Sequence, residues 1–580
     1  MKKVIVFDIE IYPNYFMVGF KGIDSQKVIQ YRSELSPDVK LDDKSRANIR
    51  SIINKYLLVS FNGIKFDMPL LMRAVEGASV KYLYDMAQNI IQNNLPYFMI
   101  QKQYYLKPEN YQIDHIDLYD IGGANKESLK MYGARLNAPK LQELPYSFDT
   151  NLTEEQAKNI DIYNVNDLDT TEILYHFAKE AIKLRESLGA TINKDLRSMQ
   201  GAKIAETMIY EKLKSQGKIL KRTKKLDFRF RYDPPKHLIN AFESDELNQL
   251  VQKLIDHDFV VENGKVKNPK FMSEIVIGDT RYTLGIGGLH AVVNNLAVIP
   301  NSDEEINQPD VTSFYPNMIL NYGFVPKTLG EVFIKLYREI YETRVEAKGK
   351  EGQLKRDNAA KAEIDKWNKI NNGYKLILNS LFGTYGNAYF KTYAPDLLVA
   401  ITITGQLNML LLIEKMELNN IQVFSSNTDS ITYLAKKSQR DVANKVMREW
   451  EKATLMQLED DYIDRIFYRD INSYVYVNGA KAGGVGYYGK YSVGKNTEYP
   501  IVYEAIKQYL IDLTPIKETI NECNDITKFI STRKSTSGAS YKGEYIGKVV
   551  RFYYCYENES IKSVITQKRK DSYKEKMAIY

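Results

Sequence analysis

Cysteine is scarce: Cys523 and Cys555 are the only two in 580 residues, which excludes a disulfide framework. The five histidines, His115, His176, His237, His257 and His290, stand far apart, without the close spacing of a zinc cluster. No uninterrupted apolar run of about 18 residues is evident, so no membrane partner is expected. The N-terminal MKKVIVFDIE imitates the start of a signal peptide, but Asp8 and Glu10 cut its apolar stretch short, and a cytoplasmic protein is expected. Strong charge is missing too: a net +7 suits a polyanionic partner or an ordinary surface equally. Apolar residues at 44% and charged residues at 26% give the balance of a soluble chain, long enough for roughly two to four packed units.

Up to about residue 190 the pattern alternates between strands and helices. KVIVFDIE and YLLVSFNG read as strands, and apolar spacing predicts a helix from Thr153 to Leu184. Basic and aromatic residues interleave in KRTKKLDFRFRYDPP, Lys221 to Pro235, as in a strand laid against a phosphate backbone or in a solvated linker. Ile334 to Lys369 has the composition of a helical hairpin projecting into solvent, with GKEG at Gly349 to Gly352 as its break. FISTRKSTSGASYKGEY and TQKRKDSYKEKM, near the end, are polar and basic with few positions to bury.

Hydrolysis of a phosphodiester with two hard, oxygen-seeking metal ions needs several carboxylates converging on one point. Asp8 and Glu10, two apart at the end of VIVFDIE, share one face of a strand. FNGIKFDMPLL places Asn62 and Asp67 in a loop that opens a helix. IYNVNDLDTTEIL sets Tyr163 and Asp167 four apart on one helical face. A strand ending Asp-x-Glu is usually a solvated terminus, so order carries the weight. In that order the three segments resemble the Exo I, Exo II and Exo III motifs of proofreading exonucleases. The resemblance implies Asp8, Glu10, Asp67 and Asp167 as metal ligands, Tyr163 as the residue orienting water, and Asn62 as a contact to the primer end.

The second half carries three further segments. PDVTSFYPNMI, with Asp310, resembles motif A of family B DNA polymerases. KLILNSLFGTYG presents Lys375, Asn379 and Gly383 at intervals of four along one helical face and resembles motif B, with Phe382 where the family usually has tyrosine. IQVFSSNTDSITYLA reads as two short strands about a tight turn. It resembles motif C, but Asn427 stands at the first acidic position and Asp429 at the second. Asparagine keeps an oxygen acceptor and removes one negative charge.

The chain is thus identified by resemblance with family B DNA polymerases bearing an N-terminal 3′→5′ proofreading exonuclease, of a compact bacteriophage type. That implies an α/β and α+β multidomain fold: a ribonuclease H-like exonuclease at 1–190, linker and first part of the palm at 191–330, fingers at 331–394, second part of the palm at 395–480, and thumb and tail at 481–580. It implies metal binding by Asp310, Val311 and Asp429, nucleotide binding by Ser313, Phe314, Tyr315, Arg344, Lys348, Lys375 and Asn379, and DNA binding by Gly287, Gly288 and Tyr474. Tyr315 would exclude a 2′-hydroxyl. Two Mg²⁺ per site, replaceable by Mn²⁺, are the implied cofactors. Primed template DNA and deoxynucleoside triphosphates are the implied partners of a monomer, in the cytoplasm of a bacterial host, with a phage helicase, primase or processivity factor as further candidates. Only 43 positions separate Gly386 from Asp429, which favours a nucleic-acid primer over a protein primer. Asn427 leaves open an exonuclease with a weakened or inactive polymerase half.

Overall fold

The computed structural model describes residues 2–121, 126–222, 226–326, 329–489 and 499–553, with the backbone of two further pairs, 562–563 and 578–579. These residues form two compact units: 1–199, 491–501 and 523–580 in the first, 200–490 and 502–522 in the second.

The first unit is built on a five-stranded mixed sheet. Its strands β1 (Val4–Tyr12), β2 (Tyr15–Gly22), β3 (Val28–Arg32), β4 (Leu57–Ser60) and β5 (His115–Asp117) lie in the order β3-β2-β1-β4-β5. Pairings of β1 with β4 and β4 with β5 are parallel, and the other two are antiparallel. Strand alternation divides β1 between two cores. Phe7 and Ile9 join Leu83 and Met86 on one side, whereas Val6 faces Leu168 and Leu174 on the other. Period two puts Asp8 and Glu10 on the Val6 side. The strand does not end at Glu10 as the sequence suggests, because Ile11 and Tyr12 continue the pairing to Phe16 and Tyr15. The two acids therefore sit within a covered face rather than at a solvated end.

Three helices of this unit matter for the acids: α1 (Asp67–Val75), α2 (Leu129–Arg135) and α3 (Glu154–Ile192). Thr153 and Gln156 form a reciprocal capping box at the start of α3, satisfying two otherwise orphan amides. The expected stop near Leu184 is overrun to Asn193, which takes a left-handed conformation. FISTRKSTSGASYKGEY is not a loose segment. It supplies an antiparallel hairpin, Ser531–Tyr541 with Glu544–Tyr553, since ladder hydrogen bonds need no apolar side chain on both faces. Val549 packs with Met131 and Ala134, and Glu143 accepts a hydrogen bond from the Lys548 amide at 2.9 Å. The span 481–580 thus divides between the two units, and residues 566–577 of the basic tail lie outside the described residues.

In the second unit, a nine-stranded sheet includes β6 (Glu274–Ile277), β7 (Thr280–Thr283) and β8 (His290–Ala291). A four-stranded sheet begins with β9 (Asn294–Val298). The larger sheet continues through β10 (Glu304–Asn307), β11 (Asp310–Val311), β12 (Gln422–Asn427), β13 (Ser430–Lys436) and β14 (Leu458–Glu459). The smaller is completed by β15 (Arg465–Asp470), β16 (Ser473–Asn478) and β17 (Lys481–Val485). Helices α4 (Phe314–Tyr322), α5 (Gly330–Arg356), α6 (Lys361–Tyr385) and α7 (Pro395–Leu418) belong to the same unit.

Three segments bear on the sequence expectations. Helix α7 is long and apolar enough to cross a membrane by length and composition, yet 83% of its apolar window is buried in the protein. It is a core helix whose buried polar side chains find partners: Glu414 accepts from the Glu243 and Ser244 amides, and Asn408 meets His237 at 2.8 Å. The Lys221–Pro235 segment yields a strand of three residues, Phe228–Phe230. Phe230 stacks on Phe259 and Arg231 pairs with Asp258 at 2.9 Å, while 223–225 lie outside the described residues. Finally, α5 runs unbroken through Gly349 and Gly352. Ala347 and Glu351 are buried against the second arm, and the chain turns only at Asp357 to Ala360, where Asn358 adopts φ +50. Burial raises the Glu351 pKa, but the Lys355 ammonium and the Asn368 and Asn371 amides outweigh it and bring the carboxyl down to about 2.

Two substitutions test this hairpin by denaturant unfolding. Gly349 has open space about its Cβ position, so Gly349→Ala is expected to stabilise by about 0.5–1 kcal/mol; a loss would restore the break at GKEG. Glu351→Ala strands the two amides and is expected to cost about 1–3 kcal/mol.

Candidate active sites

Helix α3 lies over the Val6 face of β1, and its approach depends on Gly19, the residue of β2 opposite Asp8. A Cβ there would stand 1.9 Å from the Asn164 oxygen. With that space open, the fully buried Asn164 donates its amide to Asp8 Oδ2 at 3.0 Å and to the Asp8 carbonyl at 3.3 Å. One turn on, Asp167 joins Asp8 and Glu10, and one carboxylate oxygen from each lies within 4.8 Å of the others. Asp67, at the start of α1, accepts from the Ile9 amide at 3.4 Å.

Burial first, and then their neighbours' charges, hold Asp8 and Glu10 well above the usual carboxylate range. Asp67 is pushed up to about 7 by burial and by Asp117, and Asp167 to about 6 by burial, with Lys130 pulling the other way. Burial, and the charges of Asp167 and Glu10 beside it, keep the Tyr163 phenol protonated. Lys130 stands 5.2 Å from the Tyr163 ring centroid and pairs with Glu143 at 3.1 Å, so it offsets only part of the negative charge. Hard oxygens in a half-buried, electron-rich cluster with one shared cation fit divalent metal ions.

Asn62 takes a left-handed conformation, φ +64. Its amide donates to Asp117 Oδ1 at 2.7 Å, and the amides of Tyr119 and Ile64 also donate to that carboxylate. Asp117 thus shapes the loop carrying Asn62. Neither Asp117 nor Asn164 stands out in the sequence; their roles follow from the register Ser60 to Asp117 and from the absence of a side chain at Gly19.

In the second unit, Asp310 on β11 lies between Ser430 of β13 and Glu459 of β14. The Val311 amide donates to the Asp429 carbonyl at 2.8 Å, which brings the two motif acids to adjoining backbone. Val311 has a buried side chain, leaving only its backbone as a ligand. Burial, then Asp429 and Glu459, push Asp310 up to about 7, while Lys348 and Lys375 pull it down. Burial also raises Asp429. Glu459 was not foreseen, although the acidic run LEDDYID contains it. It holds Lys348 at 2.8 Å.

Arg344 donates to the Ser313 hydroxyl. Tyr315 stacks on Phe382, ring centroids 4.2 Å apart and 16° from parallel, so the motif B departure faces the residue expected to exclude a 2′-hydroxyl. Lys375 and Asn379 are exposed on α6. Phe314 turns its ring inward, where a Cβ at Gly405 would meet it at 3.0 Å. Gly288 lies beneath the motif C turn, where a Cβ would meet the Thr428 hydroxyl at 2.4 Å. Gln406 binds the Gly285 and Gly287 carbonyls. Tyr474 packs on Tyr468 at 4.9 Å and lies near Gln308.

No protein-family model and no curated protein matches the sequence. Among solved structures, the chain is similar to a family B DNA polymerase from the hyperthermophilic archaeon Pyrobaculum calidifontis, at 12% identity and a TM-score of 0.45, over 95% of this chain and 72% of that one. At that level the likeness carries no weight beside the side-chain clusters.

The first cluster has a pH signature. The unfolded carboxylates lose their protons near 3.8, whereas Asp67 and Asp167 keep theirs to about 7 and about 6 in the fold. In chelator, stability should therefore fall as pH rises from about 4 to 7 and then level off. Millimolar Mg²⁺ should raise the thermal midpoint most at pH 8, where the repulsion is fullest. A midpoint indifferent to Mg²⁺ at pH 8 would argue against a metal site.

Proposed function

We propose that the chain synthesises DNA on a primed template at the Asp310 and Asp429 site and removes 3′-terminal nucleotides at the Asp8, Glu10, Asp67 and Asp167 site. The observation carrying this is a carboxylate cluster in one compact unit and, in the other, Asp310 acted on by the charges of Asp429, Glu459, Lys348 and Lys375, near Arg344 and the Tyr315–Phe382 stack. On this reading the first unit is a ribonuclease H-like exonuclease and the second a right-hand polymerase, in a bacteriophage protein working in its host's cytoplasm.

Bound at either cluster, divalent cations such as Mg²⁺ supply Lewis acidity and neutralise developing phosphate charge. In the second unit the primer 3′-oxygen forms a bond to the α-phosphorus of a deoxynucleotide, the bond to pyrophosphate breaks, and the hydroxyl proton leaves to solvent. Lys375 and Arg344 neutralise the triphosphate, as electrostatic stabilisation of phosphoryl transfer requires. Tyr315, braced by Phe382, leaves no room for a 2′-hydroxyl. In the first unit Tyr163, beside Asp167, positions the attacking water, and Asn164 fixes the orientation of Asp8.

A second reading, degradation with little extension, is favoured by Asn427 alone. Primer extension separates the two.

Asp429→Ala should lower extension at least about 100-fold and leave single-strand degradation intact, and Asp8→Ala the reverse. Loss of both activities in either variant would argue against two independent sites. Tyr315→Ala should raise ribonucleotide use relative to deoxynucleotide use about 10–200-fold; an unchanged ratio would remove Tyr315 from sugar selection.

A further inference from the structure

Asn427 ends β12, two residues before Asp429. It donates to the carbonyl of Ile471 at 3.3 Å, while its oxygen faces the Thr428 hydroxyl at 3.5 Å. Ile471 and Asn472 form the turn between β15 and β16. That turn is gripped from its other sides too. The Asn472 amide donates to Asp470 at 2.9 Å, and Gly486, at φ +61, lies so close that a Cβ would stand 1.8 Å from the Asn472 carbonyl. Two residues past the turn, Tyr474 packs on Tyr468 and lies near Gln308 and Asp310.

The chemistry at position 427 is therefore that of a donor. A carboxylate of the same shape would set an anionic oxygen against the Ile471 carbonyl, two acceptors with no hydrogen between them. We propose that Asn427 is a positioning residue that fastens the Ile471–Asn472 turn, and with it Tyr474, to the hairpin bearing Asp429, and is not a metal ligand that has lost its charge. The inference rests on the polymerase reading of this site. Asn427, one of the positions where the chain departs from the family pattern, thus reaches this turn.

The test compares wild type, Asn427→Ala and Asn427→Asp in the full-length protein by two readouts. Hydrogen exchange at backbone amides 470–474, in chelator, needs no activity. It should be slowest in wild type, about fivefold faster in the alanine variant and faster still in the aspartate variant. Primer extension in Mg²⁺ should fall in the same order, with the Mg²⁺ half-saturation unchanged. A deprived ligand position gives the opposite: Asn427→Asp would extend faster than wild type or need less Mg²⁺, and exchange at 470–474 would not respond. Either result overturns the proposal. If wild type extends no primer, the polymerase reading fails while the exchange ranking still decides the role of Asn427. Should the aspartate variant not fold, the alanine variant supplies both readouts.

Discussion

Asp8, Glu10 and Asp167 present oxygens within 4.8 Å of one another on a strand face bounded by the buried side chains of Val6 and Tyr12. Like charges in a dry place repel strongly, and a fold tolerates this only where protons or cations occupy the space between them. The surroundings hold the cluster in place: the capped helix α3, the missing side chain at Gly19, the Asn164 amide and the Asp117 carboxylate that shapes the neighbouring loop. In the second unit strand register sets the more exposed Asp310 between Ser430 and Glu459, where the charges of Asp429 and Glu459 are partly offset by Lys348 and Lys375.

Much of this was legible in the sequence because short-range periodicity decides it. A two-residue repeat places Asp8 and Glu10 on one face of β1, and a four-residue interval places Tyr163 with Asp167 and Lys375 with Asn379. The pair Thr428 and Asp429 turns a hairpin as its composition suggests. In each case the relevant neighbours lie within one turn or one pleat, and no tertiary contact overrides them.

What was not legible depends on partners distant in the chain. Gly349 and Gly352 look like a break, yet Glu351, anchored to Asn368 and Asn371, keeps the helix continuous. The helix Pro395–Leu418 disguises its apolar length because Gln406, Asn408 and Glu414 interrupt it; each is matched to a donor or acceptor far away. Asn164, Asp117 and Glu459 gain their roles only from what faces them. Asn427 reads as a deficit beside the family pattern and becomes intelligible once the Ile471 carbonyl is seen opposite it.

The account stands on two metal-dependent activities in one chain. The most direct measurement follows a labelled primer bearing a single 3′ mismatch on its template. In Mg²⁺ without nucleotides the primer should shorten past the mismatch, on adding the four deoxynucleotides it should lengthen to the template end, and chelator should abolish both. A primer that never lengthens under Mg²⁺ or Mn²⁺ would contradict the account.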